Sequence, residues 1–154
     1  MKIFAKKLAV SLLLPLLVGG TAALLIRDGV EAYGTMTQPA LSPPPILFPI
    51  VWTILYLLMG IASYLVWTQR TPSCPALTVY LVQLAFNFVW PLLFFNAGAY
   101  GFAFFWLLAL WALVVVTTVL FFRESRAAGL LMLPYLAWLT FAAYLNYAVW
   151  MLHA

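Results

Sequence analysis

Two uncharged stretches carry the side chains best suited to hold a ligand. In one, Tyr80, Gln83, Asn87, Trp90 and Phe94 recur at intervals of three and four, which places them on one helical face. In the other, Tyr135, Trp138, Ala142 and Asn146 repeat the pattern. An amide left unpaired in hydrocarbon costs several kcal/mol, so Gln83 and Asn87 must find partners. They are either hydrogen bonds that join helices or groups that line a cavity, and spacing alone serves both. Ala142, between Trp138 and Asn146, leaves space either for close helix packing or for a pocket floor. A third aromatic pair, Trp52 and Tyr56, lies one turn apart just beyond Pro39, Pro43, Pro44, Pro45 and Pro49. Those prolines fix φ and remove donors, so they make a stiff entry into the helix and a rigid lid over whatever lies beneath. Trp52, Trp90 and Trp138 suit stacking against a flat apolar ligand.

Other chemistries lack their groups. None of the apolar runs contains Asp, Glu, Lys or Arg, which argues against ion-coupled transport. The single histidine, His153, stands beside the C-terminus and reads as an interfacial residue rather than a metal or haem ligand. No metal cluster is present in the pattern. Ser63, Thr117, Thr118 and Thr140 have no neighbouring acid or base, and in helices such hydroxyls bond their own backbone. Cys74 is the only cysteine, so no intrachain disulfide forms.

The elements that position these groups follow from composition. The 154 residues are 68% hydrophobic and 6% charged, against about 25% charged in a soluble domain. The expected fold is an all-α integral membrane protein, a bundle of five transmembrane helices forming one domain over residues 1–154. The spans are expected at about 8–26, 46–68, 76–95, 101–122 and 129–152, each long enough for the roughly 30 Å hydrocarbon core. The first follows Lys2, Lys6 and Lys7 and exceeds a signal-peptide core, so it reads as a retained helix. Short loops make consecutive helices antiparallel neighbours. Residues 27–45 form the longest polar connection. Lys2, Lys6, Lys7, Arg70, Arg123 and Arg126 fall on one side of the five spans and only Arg27 on the other. The bias predicts a cytoplasmic N-terminus, with the 27–45 loop outside, in a bacterial inner membrane. The scattered cations form no nucleic-acid patch. Gly19 with Ala23, and Ala99 with Ala103, permit close contact within a chain or in a homodimer.

Three blocks bear a family resemblance. They are Pro39-x-x-x-Pro43-Pro44 leading to Val51-Trp52-x-x-Leu55-Tyr56-x-x-Met59-Gly60, then Gln83-Leu84-x-x-Asn87-x-x-Trp90-Pro91-x-x-Phe94-Phe95, then Pro134-Tyr135-Leu136-Ala137-Trp138 continuing to Leu145-Asn146-Tyr147. The chain resembles the translocator protein family, also called tryptophan-rich sensory protein or peripheral-type benzodiazepine receptor. The resemblance implies a five-helix bundle, often dimeric, that binds porphyrins, other tetrapyrroles and sterols in a pocket closed by the first loop. The implied lining is Tyr33, Pro43, Pro44, Trp52, Asn87, Trp90, Trp138, Ala142 and Asn146. No cofactor is required; a porphyrin-like molecule is the expected ligand. Three roles follow as expectations: a receptor or sensor first, a passive tetrapyrrole transporter second, and a light-dependent porphyrin-degrading enzyme third, with Trp52 and Trp138 implicated in the last. The chain departs from the family pattern at Ala32, Gln38, Leu41 and Trp106, and no basic residue follows Tyr147 to complete a sterol motif.

Overall fold

The computed structural model describes residues 2–154. Its elements are α1 (Lys2–Leu25), α2 (Arg27–Gly34), α3 (Leu47–Trp67), α4 (Cys74–Pro91), a π-helical turn (Leu92–Asn96), α5 (Tyr100–Glu124) and α6 (Arg126–Leu152). The described residues contain no strand. Five helices are long and apolar enough to cross a membrane: α1, α3, α4 with its π-turn, α5 and α6. They are the expected spans; α3 is one residue shorter at each end than expected, and the other four are extended by a few residues at one or both ends.

Helix starts are set by local chemistry. Ser73 caps α4 by accepting from the Ala76 amide at 3.2 Å, and Ser125 caps α6 by accepting from Ala128 at 3.3 Å. Each satisfies one of the amides that a helix start leaves without an intrahelical partner. Inside the spans, the Thr117, Thr118 and Thr140 hydroxyls donate to carbonyls four residues back, and Ser63 to one three back. Thr140 also accepts from the Trp111 indole of α5 at 2.9 Å.

Two features differ from the sequence expectation. The 27–45 connection is not all loop, because Arg27–Gly34 forms α2. Asp28 in its first turn is a favourable start for a helix, a signal masked by Gly29 and Gly34. The helices also do not pack in sequence order. They form a ring in which α3 lies chiefly against α1 and α6, α6 against α5, and α5 against α4. The consecutive pair α3 and α4 has little direct contact. The expectation that short loops enforce neighbours fails there, because the space between those two helices is held open as a cavity.

Small residues let α1 approach α3. A Cβ on Gly60 would stand 2.7 Å from the Ser11 carbonyl oxygen, and one on Gly19 would collide with the Tyr56 ring. Ala103 is fully buried within the chain. Gly19, Gly60 and Ala103 therefore serve contacts inside this chain. Gly60→Leu should lower the apparent unfolding temperature in detergent, by the about 1–3 kcal/mol typical of overpacking. Gly20→Ala, where a Cβ meets nothing within 4 Å, should leave it unchanged or raised; equal effects of the two would refute this account of the interface.

A candidate ligand pocket under the α2 lid

The centre of the bundle is tied by one hydrogen-bonded relay. The Tyr56 hydroxyl of α3 donates to Asn87 Oδ1 of α4 at 2.7 Å. Asn87 Nδ2 donates to the Tyr135 hydroxyl of α6 at 2.8 Å. That hydroxyl donates to Gln83 Oε1 at 2.7 Å. Gln83, Asn87 and Tyr135 are all buried. The relay stops at Gln83 Nε2, which, like the Tyr80 hydroxyl, has no hydrogen-bond partner among the described residues. Asn146 makes a second tie, accepting from the Trp90 indole at 2.9 Å and donating to the Tyr100 carbonyl at 2.9 Å. Every amide on these two helical faces thus joins helices, and Asn87 and Asn146 also line the cavity between them.

That cavity has a volume of about 1050 Å³, at the upper end of the range for small-molecule sites. All nine residues expected to line a pocket do so: Tyr33, Pro43, Pro44, Trp52, Asn87, Trp90, Trp138, Ala142 and Asn146. Its walls are mainly aromatic and aliphatic. Trp52 lies 5.6 Å from Tyr56 and 6.2 Å from Tyr135, ring centre to ring centre. Trp90 lies 5.2 Å from Phe94. Trp90 spends its N–H on Asn146, whereas the indoles of Trp52 and Trp138 donate to no side chain or backbone group among the described residues. Charge is confined to the rim, where Arg27, Asp28 and Glu31 of α2 stand.

The lid is positioned by residues whose roles sequence reasoning missed. Pro91 removes a helical amide, and the chain leaves α4 through the π-turn Leu92–Asn96, a device common at functional sites. The turn presents Phe94 and Phe95 to Tyr33, at 5.4 and 5.5 Å. Its last residue, Asn96, donates to the Leu25 carbonyl at the end of α1. Gly29 lets α2 settle here, since a Cβ would stand 2.7 Å from Asn96 Oδ1. Further along, the Tyr100 hydroxyl reaches Met36 sulfur, Tyr144 donates to the Ala40 carbonyl at 2.9 Å, and His153 Nε2 lies 3.1 Å from the Thr37 carbonyl. His153, expected from the sequence to be an interfacial residue, is thus a lid contact. No sequence signal marks these straps, because each partner pair is separated by more than sixty residues.

Three departures noted in the sequence gain physical accounts. Gln38 donates to the Tyr33 and Met36 carbonyls at 2.8 and 3.2 Å, fastening the loop to the end of α2. Leu41, at the rim, has φ 68°, a left-handed conformation that costs a non-glycine residue roughly 1–2 kcal/mol. Trp106 stacks on Phe86 at 4.3 Å and donates to its carbonyl, so it joins α5 to α4 outside the pocket. Tyr33 has its phenol pushed above the ordinary value of 10, first by burial and second by Tyr100. It therefore stays neutral throughout the physiological range.

Asn87→Leu should cost about 1–2 kcal/mol, the scale of interhelical bonds in membranes, by leaving the Tyr56 and Tyr135 hydroxyls each short of one partner. The check is thermal unfolding in detergent. The loss should be largely absent in a Tyr56→Phe, Tyr135→Phe background; an undiminished loss there would refute the relay.

The chain is similar to known proteins over most of its length. The profile of the TspO/MBR family matches residues 11–151. The human protein named Translocator protein is 39% identical over 127 residues, covering 80% of this chain and 75% of its own. The Tryptophan-rich sensory protein of Cereibacter sphaeroides is 39% identical over 127 residues, covering 82% of this chain and 78% of its own. The Tryptophan-rich protein TspO of Archaeoglobus fulgidus is 34% identical over 155 residues, covering 96% and 97%. With five membrane-length helices arranged around one lidded cavity, the chain belongs to the TspO/MBR family and is a multi-pass membrane protein.

Proposed function

We propose that this protein is a membrane receptor for porphyrins or similar flat hydrophobic ligands, held between the helices and covered by the α2 lid. The observation that carries this reading is the cavity wall, where Trp52, Trp90 and Trp138 border a space of about 1050 Å³. Aromatic faces offer stacking to a planar ring system. The amides at the base are already engaged in protein bonds, so binding a largely apolar molecule strands no donor or acceptor there. The two unbonded indole N–H groups, of Trp52 and Trp138, remain to meet polar atoms on a ligand. The names of the relatives, sensory and translocator, fit a protein that holds a small molecule in a membrane.

Equilibrium titration with protoporphyrin IX in detergent, read by its absorbance band, tests this. Saturable binding is expected, weakened tenfold or more by Ala142→Phe, which fills the pocket beside Trp138 and Asn146. Tenfold corresponds to about 1.4 kcal/mol. Absence of saturable binding, or binding that neither Ala142→Phe nor Trp138→Ala alters, overturns the reading.

We propose also that the lid end faces outward. Lys2, Lys6, Lys7, Arg70, Arg123 and Arg126 lie at the far end of the bundle from the lid, and this excess supports a cytoplasmic far end in a bacterial cell membrane. Cys74 is exposed at the start of α4, at that far end. In intact cells, a membrane-impermeant maleimide should label Ser42→Cys in a Cys74→Ser background and leave the native Cys74 unmodified. The reverse pattern refutes this orientation.

A further inference from the structure

A second concavity lies outside the pocket, on the surface between α3 and α6. It is a groove of about 500 Å³ with Val51, Ile54 and Leu58 on one side and Pro134, Ala137 and Phe141 on the other. No polar side chain lines it. On α3 it lies roughly 6–16 Å below the lid end at 1.5 Å per residue, inside the hydrocarbon layer. A groove at that depth faces the acyl chains and whatever is dissolved among them.

One residue borders both spaces. Trp138 lines the groove on one side and the lidded cavity on the other, and the two share no other lining residue. We propose that ligands enter the cavity sideways from the bilayer, between α3 and α6, with the Trp138 indole as the partition they displace. This inference rests on the binding reading and adds the route and the ligand class: molecules that partition into membranes before they bind.

Three observations support a movable partition. First, the Trp138 indole is held by apolar packing without a hydrogen bond, with ring contacts to Phe48 at 6.0 Å and Phe141 at 5.5 Å. Trp90, across the cavity, is pinned by its bond to Asn146. Second, Pro134 sits inside α6 one turn before Trp138, where it forfeits the amide bond to the Leu130 carbonyl and loosens that turn. Third, the alternative way in, beneath the lid, is fastened by Asn96, Tyr144 and His153, whereas no hydrogen bond crosses between α3 and α6 at the groove among the described residues. Ala137 supports an open approach, since its small, exposed side chain stands where a larger one would fill the groove.

Rates separate the route from the affinity. Association and dissociation of protoporphyrin IX should be followed by stopped flow with the protein in lipid nanodiscs. Ala137→Phe and Ile54→Trp plug the groove at positions that do not line the cavity. Each should slow association and dissociation together by tenfold or more, with Kd within twofold of wild type. The lid variants Tyr144→Phe and His153→Ala should leave both rates within twofold. Rates unchanged by both groove variants but raised by the lid variants overturn the lateral route while leaving the binding reading intact. No saturable binding to the wild-type protein overturns both.

Discussion

The structure depends on the bridge that Asn87 makes between Tyr56 and Tyr135. In hydrocarbon there is no water to receive a polar group, so an amide at this depth is stabilised by the partners the protein gives it. The bridge connects α3, α4 and α6, and it does so at the base of the cavity. It therefore performs two tasks that compete elsewhere. It draws three helices together, and it fixes how far apart they stay, because tyrosine is long and the bonds run through the ring ends. The space between α3 and α4 persists because a hydrogen-bonded spacer spans it.

Above that base, the pocket's roof is made by a different kind of contact. α2 is short and amphipathic, with eight residues and its charges at the rim. A helix of that length has little stability alone in water. It is held by Tyr33 against Phe94 and Phe95, and the chain on either side of it is strapped by Asn96, Tyr100, Tyr144 and His153. The break in helical register after Pro91 turns the aromatic pair toward the lid, so a proline in α4 and a tyrosine in α2 belong to one arrangement.

Much of this was legible in the residues. The five spans follow from apolar runs whose length matches a bilayer, and the faces of α4 and α6 follow from period 3.6. Those faces, together with the motif resemblance, bring Asn87, Trp90, Trp138, Ala142 and Asn146 to one cavity. Periodicity reports which face of a helix is polar, but not whether that face meets a neighbour or a space, and here Asn87 and Asn146 meet both. Three features were not legible. The α2 helix is obscured by its glycines. The π-turn is a change of register, which leaves no mark on composition. The lid straps pair residues such as Thr37 with His153, whose meeting depends on the whole tertiary arrangement.

The ring order of the helices has a consequence for how the protein is made. The wall that closes the cavity is the contact of α3 with α6, the second span with the fifth. During synthesis the first four spans enter the bilayer before Tyr135, Trp138 and Asn146 exist. Until then Asn87 and Trp90 have no α6 partners, and the incipient pocket is a cleft open to lipid. The geometry of the cavity therefore arises in one step, at the end of synthesis, when α6 closes the ring and joins the relay. Any molecule that bound the closed ring alone would favour completed chains over partial ones.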